Sequence, residues 1–252
     1  MTGFSDLRDN TASDIVLPYS ELGNIIDGVA RFRADVFPHQ QALYSRLAGD
    51  GQQPKALVIS CSDSRVVPEL ITQCGPGELF VCRNAGNIVP PYTLTSGGVS
   101  AAIEYAVVAL GVRDIVVCGH SKCGAMSGLL HPDHLTEMPN VASWLRHAEA
   151  ARSIVCTAYP ADITEAEAIR ALALENVSCQ LNNLRGHPSV AARLAAGRLT
   201  LHGWFFDIKS GTILALDGET GRFTDVENSE LPIAHRPSRR LATSGLHAIA
   251  AE

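Results

Sequence analysis

Two short segments of the sequence hold the side chains best suited to bind a metal ion. Cys61 and Asp63 follow one apolar run, and His120 and Cys123 follow another. Two thiolates, one imidazole and one carboxylate form a donor set typical of a mononuclear zinc site. A catalytic zinc needs three firm ligands and one position open to water, and Asp63 is the ligand expected to give way.

Arg65 gives the carboxylate of Asp63 a second interaction, because it lies only two residues further along the chain. A guanidinium can hold a carboxylate through two parallel hydrogen bonds and keep it ionised. We expect Arg65 to draw Asp63 away from the metal, which leaves room for a water molecule that Asp63 then orients. Asp63 and Arg65 are therefore the predicted catalytic residues.

The predicted elements place both segments at one edge of a sheet. Fully apolar strands alternate with helices, which predicts an α/β fold with a mostly parallel central sheet covered by helices. A hairpin around residues 209–211 is expected to add an antiparallel edge strand. Ligands of such sheets bind outside the carboxyl ends of the strands, where Cys61 and His120 lie. The predicted strands are 55–60, 78–82, 114–119, 199–208 and 212–217, and the predicted helices are 97–110, one starting at 122, 139–158 and 162–185.

We expect a flexible lead over residues 1–19, a domain over residues 20–226 and a tail over residues 227–252. Residues 20–48 form a helical arm of that domain, with apolar residues near helical spacing and a break near Pro38. Two alternatives stay open for the arm, since its apolar face can pack on another subunit or cover its own sheet.

Composition excludes several classes of protein. The 252 residues are 46% hydrophobic and carry a formal charge of −6 without a basic stripe, which argues against nucleic-acid binding. No apolar run is long enough to span a membrane, and the first residues lack a signal-peptide pattern, so the expected location is cytoplasmic. Seven cysteines are an odd number, and the five outside the motifs are expected in the core rather than in disulfides.

Two rival interpretations use the same residues differently. A structural zinc module would hold the ion with four permanent ligands, usually in paired C-x-x-C units, which this chain lacks. A cysteine phosphatase or thiol transferase would use Cys61 as nucleophile and Arg65 to bind an anion, but it leaves Cys123 unexplained. His131 and His134 are a second pair of potential metal ligands, although their neighbouring proline suggests a surface loop.

At the Cys61–Arg65 and His120–Cys123 motifs the chain resembles the β-class carbonic anhydrases, of the plant and cyanobacterial type. The resemblance extends from about residue 20 to about residue 220 and is most specific at five stretches. These stretches are CSDSR at 61–65, GELFV at 77–81, RNAGNI at 83–88, IEYAV at 103–107 and CGHSKCG at 118–124.

The resemblance implies zinc-dependent, reversible hydration of CO2 to bicarbonate and a proton, by attack of a zinc-bound hydroxide. Cys61, His120 and Cys123 match the family's zinc ligands, and Asp63 and Arg65 match its catalytic pair. Four further positions match substrate-contacting groups, namely Gln52 for bicarbonate, Phe80 and Tyr105 for the CO2 pocket, and the backbone N–H of Gly124. Because neighbouring subunits share this pocket in the family, a homodimer is the smallest expected functional unit, with larger homo-oligomers as the alternative.

Two features refine the resemblance. Bacterial members inhibited by bicarbonate carry a tryptophan three residues before the first zinc cysteine, whereas this chain has Val58 and is expected to lack that inhibitory site. The segments 89–92 and 201–204 look similar to carboxysomal cyanobacterial members, and those members extend at the C-terminus as residues 227–252 do here, which suggests carboxysome association by analogy alone. A further alternative with the same site is hydrolysis of another heterocumulene such as carbon disulfide.

Overall fold

The computed structural model describes residues 20–93 and 97–227, with side chains from residue 22 onward. The chain divides into two compact units, residues 1–51 and residues 52–252. The predicted lead at 1–19 and all but the first residue of the predicted tail at 227–252 lie outside the described residues.

The first unit contains the predicted helical arm, as α1 (Ser20–Arg31) and α2 (Phe37–Asp50) joined by a π-helical turn (Phe32–Val36). The N–H of Phe37 bonds to the carbonyl of Phe32, five residues back. The wide turn comes just before Pro38, which has no N–H to donate and whose ring would clash with a preceding carbonyl in a regular helix. The irregularity predicted near Pro38 is thus a π turn within an otherwise continuous helical arm.

The second unit is built on a six-stranded sheet with the order β2-β1-β3-β4-β5-β6. Its first four strands in space are parallel, and the last two pairings are antiparallel, which confirms the predicted fold class. The strands are β1 (Ala56–Cys61), β2 (Leu79–Asn84), β3 (Asp114–His120), β4 (Thr200–Phe206), β5 (Ile213–Leu216) and β6 (Phe223–Asp225).

The strand order contains a switch point between β1 and β3. From β1 the chain moves outward to β2 and then crosses to the other side of β1 to form β3. The connections at the carboxyl ends of these two strands therefore leave in opposite directions and open a crevice. Cys61 is the last residue of β1 and His120 is the last residue of β3, so both end at this crevice.

Helices surround the sheet. They are α3 (Pro68–Ile71), α4 (Gly98–Glu104) with a π turn (Tyr105–Ala109), α5 (Gly124–Leu130), a 3-10 turn (Pro132–Leu135), α6 (Pro139–Leu145), a second 3-10 turn (Arg146–Ala148), α7 (Glu149–Ala158), α8 (Glu165–Arg185) and α9 (Pro188–Ala195).

The long helix α8 packs directly against the central strands. A Cβ atom built on Gly119 of β3 or on Gly203 of β4 would lie 2.9 Å from a methyl group of Val177. This close approach requires glycine at both strand positions, and it fixes the separation between α8 and the sheet. Thr164 begins the helix with a capping box, accepting from the N–H of Glu167 while the Glu167 carboxylate accepts from the N–H of Thr164.

The structure differs from the predicted elements at a few places. Strand β6 pairs with β5 and becomes the outermost strand, so the hairpin of β4 and β5 does not itself form the edge. Helix α5 begins two residues later than predicted, because Lys122 has a left-handed backbone with φ 54°. All seven cysteines are free, and the core placement is wrong for Cys156, which is exposed on α7. No helix in the described ranges is long and apolar enough to cross a membrane.

Candidate metal centre

The fold brings three of the predicted ligands together at the crevice. Cys61 and His120 come from the ends of β1 and β3, and Cys123 is the N-cap residue of α5. One potential ligand atom from each of them lies within 4.8 Å of the other two, and all three residues are buried. Within residues 20–93 and 97–227 this is the only such cluster of three or more, so His131 and His134 form no comparable site.

The imidazole of His120 is oriented by the backbone. Its Nδ1 lies 2.9 Å from the carbonyl oxygen of Ser121, and because a carbonyl only accepts, Nδ1 carries the proton. The other nitrogen, Nε2, is fully buried and has no hydrogen-bond partner in the described structure. A buried nitrogen with a free lone pair costs stability unless something binds it, and a neutral histidine held this way is a typical metal ligand.

The two sulfur atoms are separated by 4.0 Å. Two thiolates on one tetrahedral zinc, each about 2.3 Å from it, would lie roughly 3.8 Å apart. The observed spacing therefore fits a shared ion without rearrangement of the backbone. Together with the free nitrogen of His120, the sulfurs provide the three donors that a catalytic zinc uses.

Hydrogen bonds to Cys61 make it the sulfur that ionises first. The Cys123 thiol, with a smaller contribution from the N–H of Gly86 3.4 Å away, lowers the pKa of Cys61 to about 4. Cys61 in turn raises the pKa of Cys123, because a second thiolate beside the first would be repelled. Burial adds to the cost of ionising Cys123. A divalent cation would remove this conflict by binding both thiolates.

Asp63 is held by Arg65 as predicted. Arg65 Nε donates to Asp63 Oδ1 at 2.9 Å, and Nη2 donates to Oδ2 at 2.7 Å. These bonds hold the pKa of Asp63 well below its ordinary value, so its carboxylate stays charged. Oδ2 nevertheless remains 3.9 Å from Nε2 of His120, at the border of the three-donor cluster. Arg65 also reaches the carbonyl of Lys122, which ties the two motifs together.

Arg83, the first residue of the RNAGNI stretch at 83–88, supports the site, although sequence reasoning assigned it no role there. From β2 it donates to the carbonyl of Cys61 at 3.1 Å and to the carbonyl of Asp63 at 2.8 Å. These bonds fix the turn that carries both side chains. The signal in the sequence was a charged residue near the end of an otherwise apolar strand, but its targets are backbone atoms, which no residue pattern reveals.

Three predicted substrate-binding residues lie away from the metal cluster of their own chain. Phe80 pairs in register with Leu57, which precedes Cys61 by about 13 Å along the strand. The ring of Tyr105 lies 5.9 Å from that of Phe80 and is half exposed, and the exposed Gln52 precedes the amino end of β1.

The fourth predicted substrate-binding residue, Gly124, lies beside the cluster. It is the first residue of α5 and directly follows Cys123. Gly124 is exposed, and a Cβ atom built on it would meet no atom within 4 Å, so its backbone is accessible.

The parallel sheet and the buried cysteine–histidine cluster at its switch point define a metal-binding α/β protein. The sequence profile of the family described as "Carbonic anhydrase" matches residues 56–213. A carbonic anhydrase of Pseudomonas aeruginosa is 57% identical over 203 residues, which are 81% of this chain and 91% of that protein.

Two solved structures match the fold. The β-carbonic anhydrase CcaA has a TM-score of 0.81 at 44% identity and covers 85% of this chain and 95% of its own. One of two tetrameric β-carbonic anhydrases from Sordaria macrospora has a TM-score of 0.71 at 32% identity, covering 81% of this chain and 98% of its own. The chain therefore belongs to the β-carbonic anhydrases, enzymes that hydrate CO2 with the help of a metal ion.

Proposed function

We propose that this chain hydrates CO2 reversibly with one zinc ion bound by Cys61, His120 and Cys123. The observation that carries the proposal is the buried Nε2 of His120, which has no hydrogen-bond partner among the described residues and belongs to one cluster with two sulfurs 4.0 Å apart. Two thiolates and an imidazole are a soft donor set, which favours zinc over magnesium or calcium. When bound, the zinc supplies a nucleophilic hydroxide at moderate pH and positive charge for the developing product.

The residues around the ion orient the attack. Asp63, kept ionised by Arg65, accepts a hydrogen bond from the attacking oxygen and directs its lone pair toward carbon. The N–H of Gly124 donates to an oxygen of the forming bicarbonate, where negative charge develops. We further propose an inactive state in which Asp63 turns to the metal as a fourth ligand, since Asp63 Oδ2 lies only 3.9 Å from His120 Nε2.

We infer that the substrate pocket is completed by a second copy of the chain. Gln52, Phe80 and Tyr105 lie away from their own metal cluster, yet Phe80 and Tyr105 leave aromatic surface accessible. Helix α1 exposes a further set of apolar side chains at helical spacing, namely Leu22, Ile25, Ile26 and Val29. Exposed apolar faces of this kind mark association surfaces, and the Sordaria macrospora relatives are tetrameric. A homodimer or a larger homo-oligomer follows.

The geometry disfavours the two rivals. In a closed structural site all four ligands bind the metal permanently, whereas here both carboxylate oxygens of Asp63 accept hydrogen bonds from Arg65. A nucleophilic Cys61 would need access to substrate, but its sulfur is buried against Cys123 and Gly86. Hydrolysis of carbon disulfide would use the same site, so the choice of heterocumulene is decided by assay.

Stopped-flow CO2 hydration by the zinc-loaded protein at mildly alkaline pH tests the proposal, with metal content measured on the same sample. We expect turnover far above buffer and about one zinc per chain. Bound zinc without CO2 turnover at any pH, or turnover of carbon disulfide alone, would overturn it. Turnover that appears only at higher pH would instead indicate the state closed by Asp63.

A further inference from the structure

The peptide group between Ala85 and Gly86 connects the metal cluster to a tryptophan. On one side of this peptide, the N–H of Gly86 points at Sγ of Cys61, 3.4 Å away. On the other side, the carbonyl of Ala85 accepts a hydrogen bond of 2.8 Å from Nε1–H of Trp144. The N–H and the carbonyl belong to the same planar amide, so a change in either bond reorients the other.

The backbone around this peptide is shaped for close approach to the sulfur. Gly86 has φ +80°, a left-handed conformation, and a Cβ built there would lie 3.1 Å from Ala125 and from Met126. The next peptide is held separately, because the fully buried Asn176 of α8 donates to the carbonyl of Gly86 at 2.9 Å. Side chains from two helices thus fix two consecutive peptides beside one metal ligand.

We propose that Trp144 is a positioning residue for the metal centre, acting through the Ala85–Gly86 peptide on the Cys61 sulfur. The inference rests on the proposed function, since it takes Cys61 as a zinc ligand. Trp144 lies on α6, distant in sequence from all three donors, and no ligand pattern would include it.

The chemical consequence follows from hydrogen bonding to a thiolate. An N–H directed at sulfur withdraws electron density from it, so the thiolate gives less charge to the ion and the ion remains a stronger Lewis acid. Donation from the indole to the Ala85 carbonyl polarises the same amide and strengthens its N–H as a donor, because chained hydrogen bonds reinforce one another. Without the indole N–H, the peptide can rotate away from Cys61, and the sulfur becomes more electron-rich and less precisely placed.

Cobalt(II) provides a direct readout, because its thiolate charge-transfer absorption reports electron density on the sulfur. The variant Trp144→Phe keeps an aromatic ring on α6 but removes the indole N–H together with part of the ring. We expect this absorption to shift to lower energy and zinc affinity, measured by competition with a chromophoric chelator, to fall about ten-fold. Trp204→Phe is the matched control, since it makes the same substitution at the chain's other tryptophan, which packs against Val58, Val116 and Cys118.

The outcomes separate this inference from the proposed function. If the wild-type chain binds cobalt but Trp144→Phe reproduces its spectrum and zinc affinity, the role of Trp144 is refuted while the metal site stands. An equal shift in Trp204→Phe would also refute it, because general loosening would then explain the change. Failure of the wild-type chain to bind either metal would refute the proposed function instead.

A single-atom change keeps the test decisive if Trp144→Phe does not fold. In the Trp204→Phe background, growth on the benzothienyl analogue of tryptophan replaces only the N–H of residue 144 by sulfur. The ring keeps its shape and packing but cannot donate to Ala85. We expect the same shift of the cobalt absorption to lower energy, and an unchanged spectrum would refute the proposal.

Discussion

The carboxylate of Asp63 is held by the guanidinium of Arg65 through two parallel hydrogen bonds, Nε to Oδ1 at 2.9 Å and Nη2 to Oδ2 at 2.7 Å. The backbone N–H of Arg65 donates to Oδ1 as well, at 3.0 Å. The pair therefore fixes both the charge and the direction of a carboxylate whose Oδ2 lies 3.9 Å from Nε2 of His120. We propose that a carboxylate so close to the donors can either assist the reaction or block the ion, and that Arg65 selects between these states.

Replacing Asp63 by Asn should lower turnover by on the order of 100-fold, because the amide can direct its NH2 group at the attacking oxygen and no longer orients it reliably. Zinc content should be unchanged, since three donors remain. The measurement is stopped-flow CO2 hydration across a range of pH. Unchanged turnover and an unchanged pH profile would show that Asp63 neither orients the oxygen nor closes the site.

Replacing Arg65 by Leu should produce a different pH profile. Arg65 lowers the pKa of Asp63, and its loss lets that pKa rise while the carboxylate stays charged at neutral pH. A free Asp63 should then occupy the metal, so activity should be lost near neutral pH and partly return as hydroxide competes at higher pH. The double variant with Asp63→Asn should lose this pH-dependent recovery, and recovery that persists in it would contradict the blocking role.

Removing one metal donor should empty the site. His120→Ala leaves two sulfurs and an open position, and we expect zinc content to fall from about one per chain to near zero after dialysis against a mild chelator. Cys156→Ser is the control, because this cysteine is exposed on α7 and takes no part in the cluster. Equal zinc content in His120→Ala and the control would exclude His120 as a ligand.

A mixed dimer should reveal a pocket shared between subunits. One chain carries Asp63→Asn and the other carries Tyr105→Leu, and each homodimer should be strongly impaired. In the co-expressed, doubly tagged heterodimer, one site receives both lesions and the other receives none, so activity should return to about half of the wild-type value per dimer. If every site used its own Tyr105, both sites would carry a lesion and activity would not recover.

The exposed face of α1 should hold subunits together. Ile26 is 59% exposed although it is strongly apolar, and Ile26→Glu should therefore shift the protein toward smaller species in sedimentation velocity. The control is the neighbouring variant Asp27→Asn, which changes the charge on the same helix without adding a polar group to its apolar face, so its sedimentation should match that of wild type. An identical sedimentation profile for wild type and Ile26→Glu would show that this face does not mediate association.

Close packing of α8 on the sheet should be sensitive to a single methyl group. Gly203→Ala places a Cβ 2.9 Å from Val177 and 3.0 Å from Leu181, so we expect the free energy of unfolding to fall by about 1–3 kcal/mol. Gly98→Ala is a suitable control, since a Cβ there meets no described atom within 4 Å, whereas Gly111 has φ +68° and would be strained by any side chain. Urea denaturation of the two variants measures the difference.

Residue types and spacing were enough to predict the donor set and the edge of the sheet where it lies. Cys61 and His120 each end an apolar strand, and the local pattern of strands alternating with helices is enough to predict a parallel sheet with both residues at its carboxyl edge. The grip of Arg65 on Asp63 was also predictable, because residues two apart in one turn can meet without help from distant parts of the chain.

The tertiary structure alone decided which atoms support these donors. Arg83 holds the carbonyl of Cys61, Ser121 fixes the tautomer of His120, and Trp144 reaches a peptide 59 residues away in sequence. Each of these contacts involves a backbone atom, which every residue possesses, so a sequence carries no local sign of them. The strand register likewise decided that Phe80 lies beside Leu57 rather than beside Cys61, because register depends on hydrogen bonds between segments that meet only when the sheet forms.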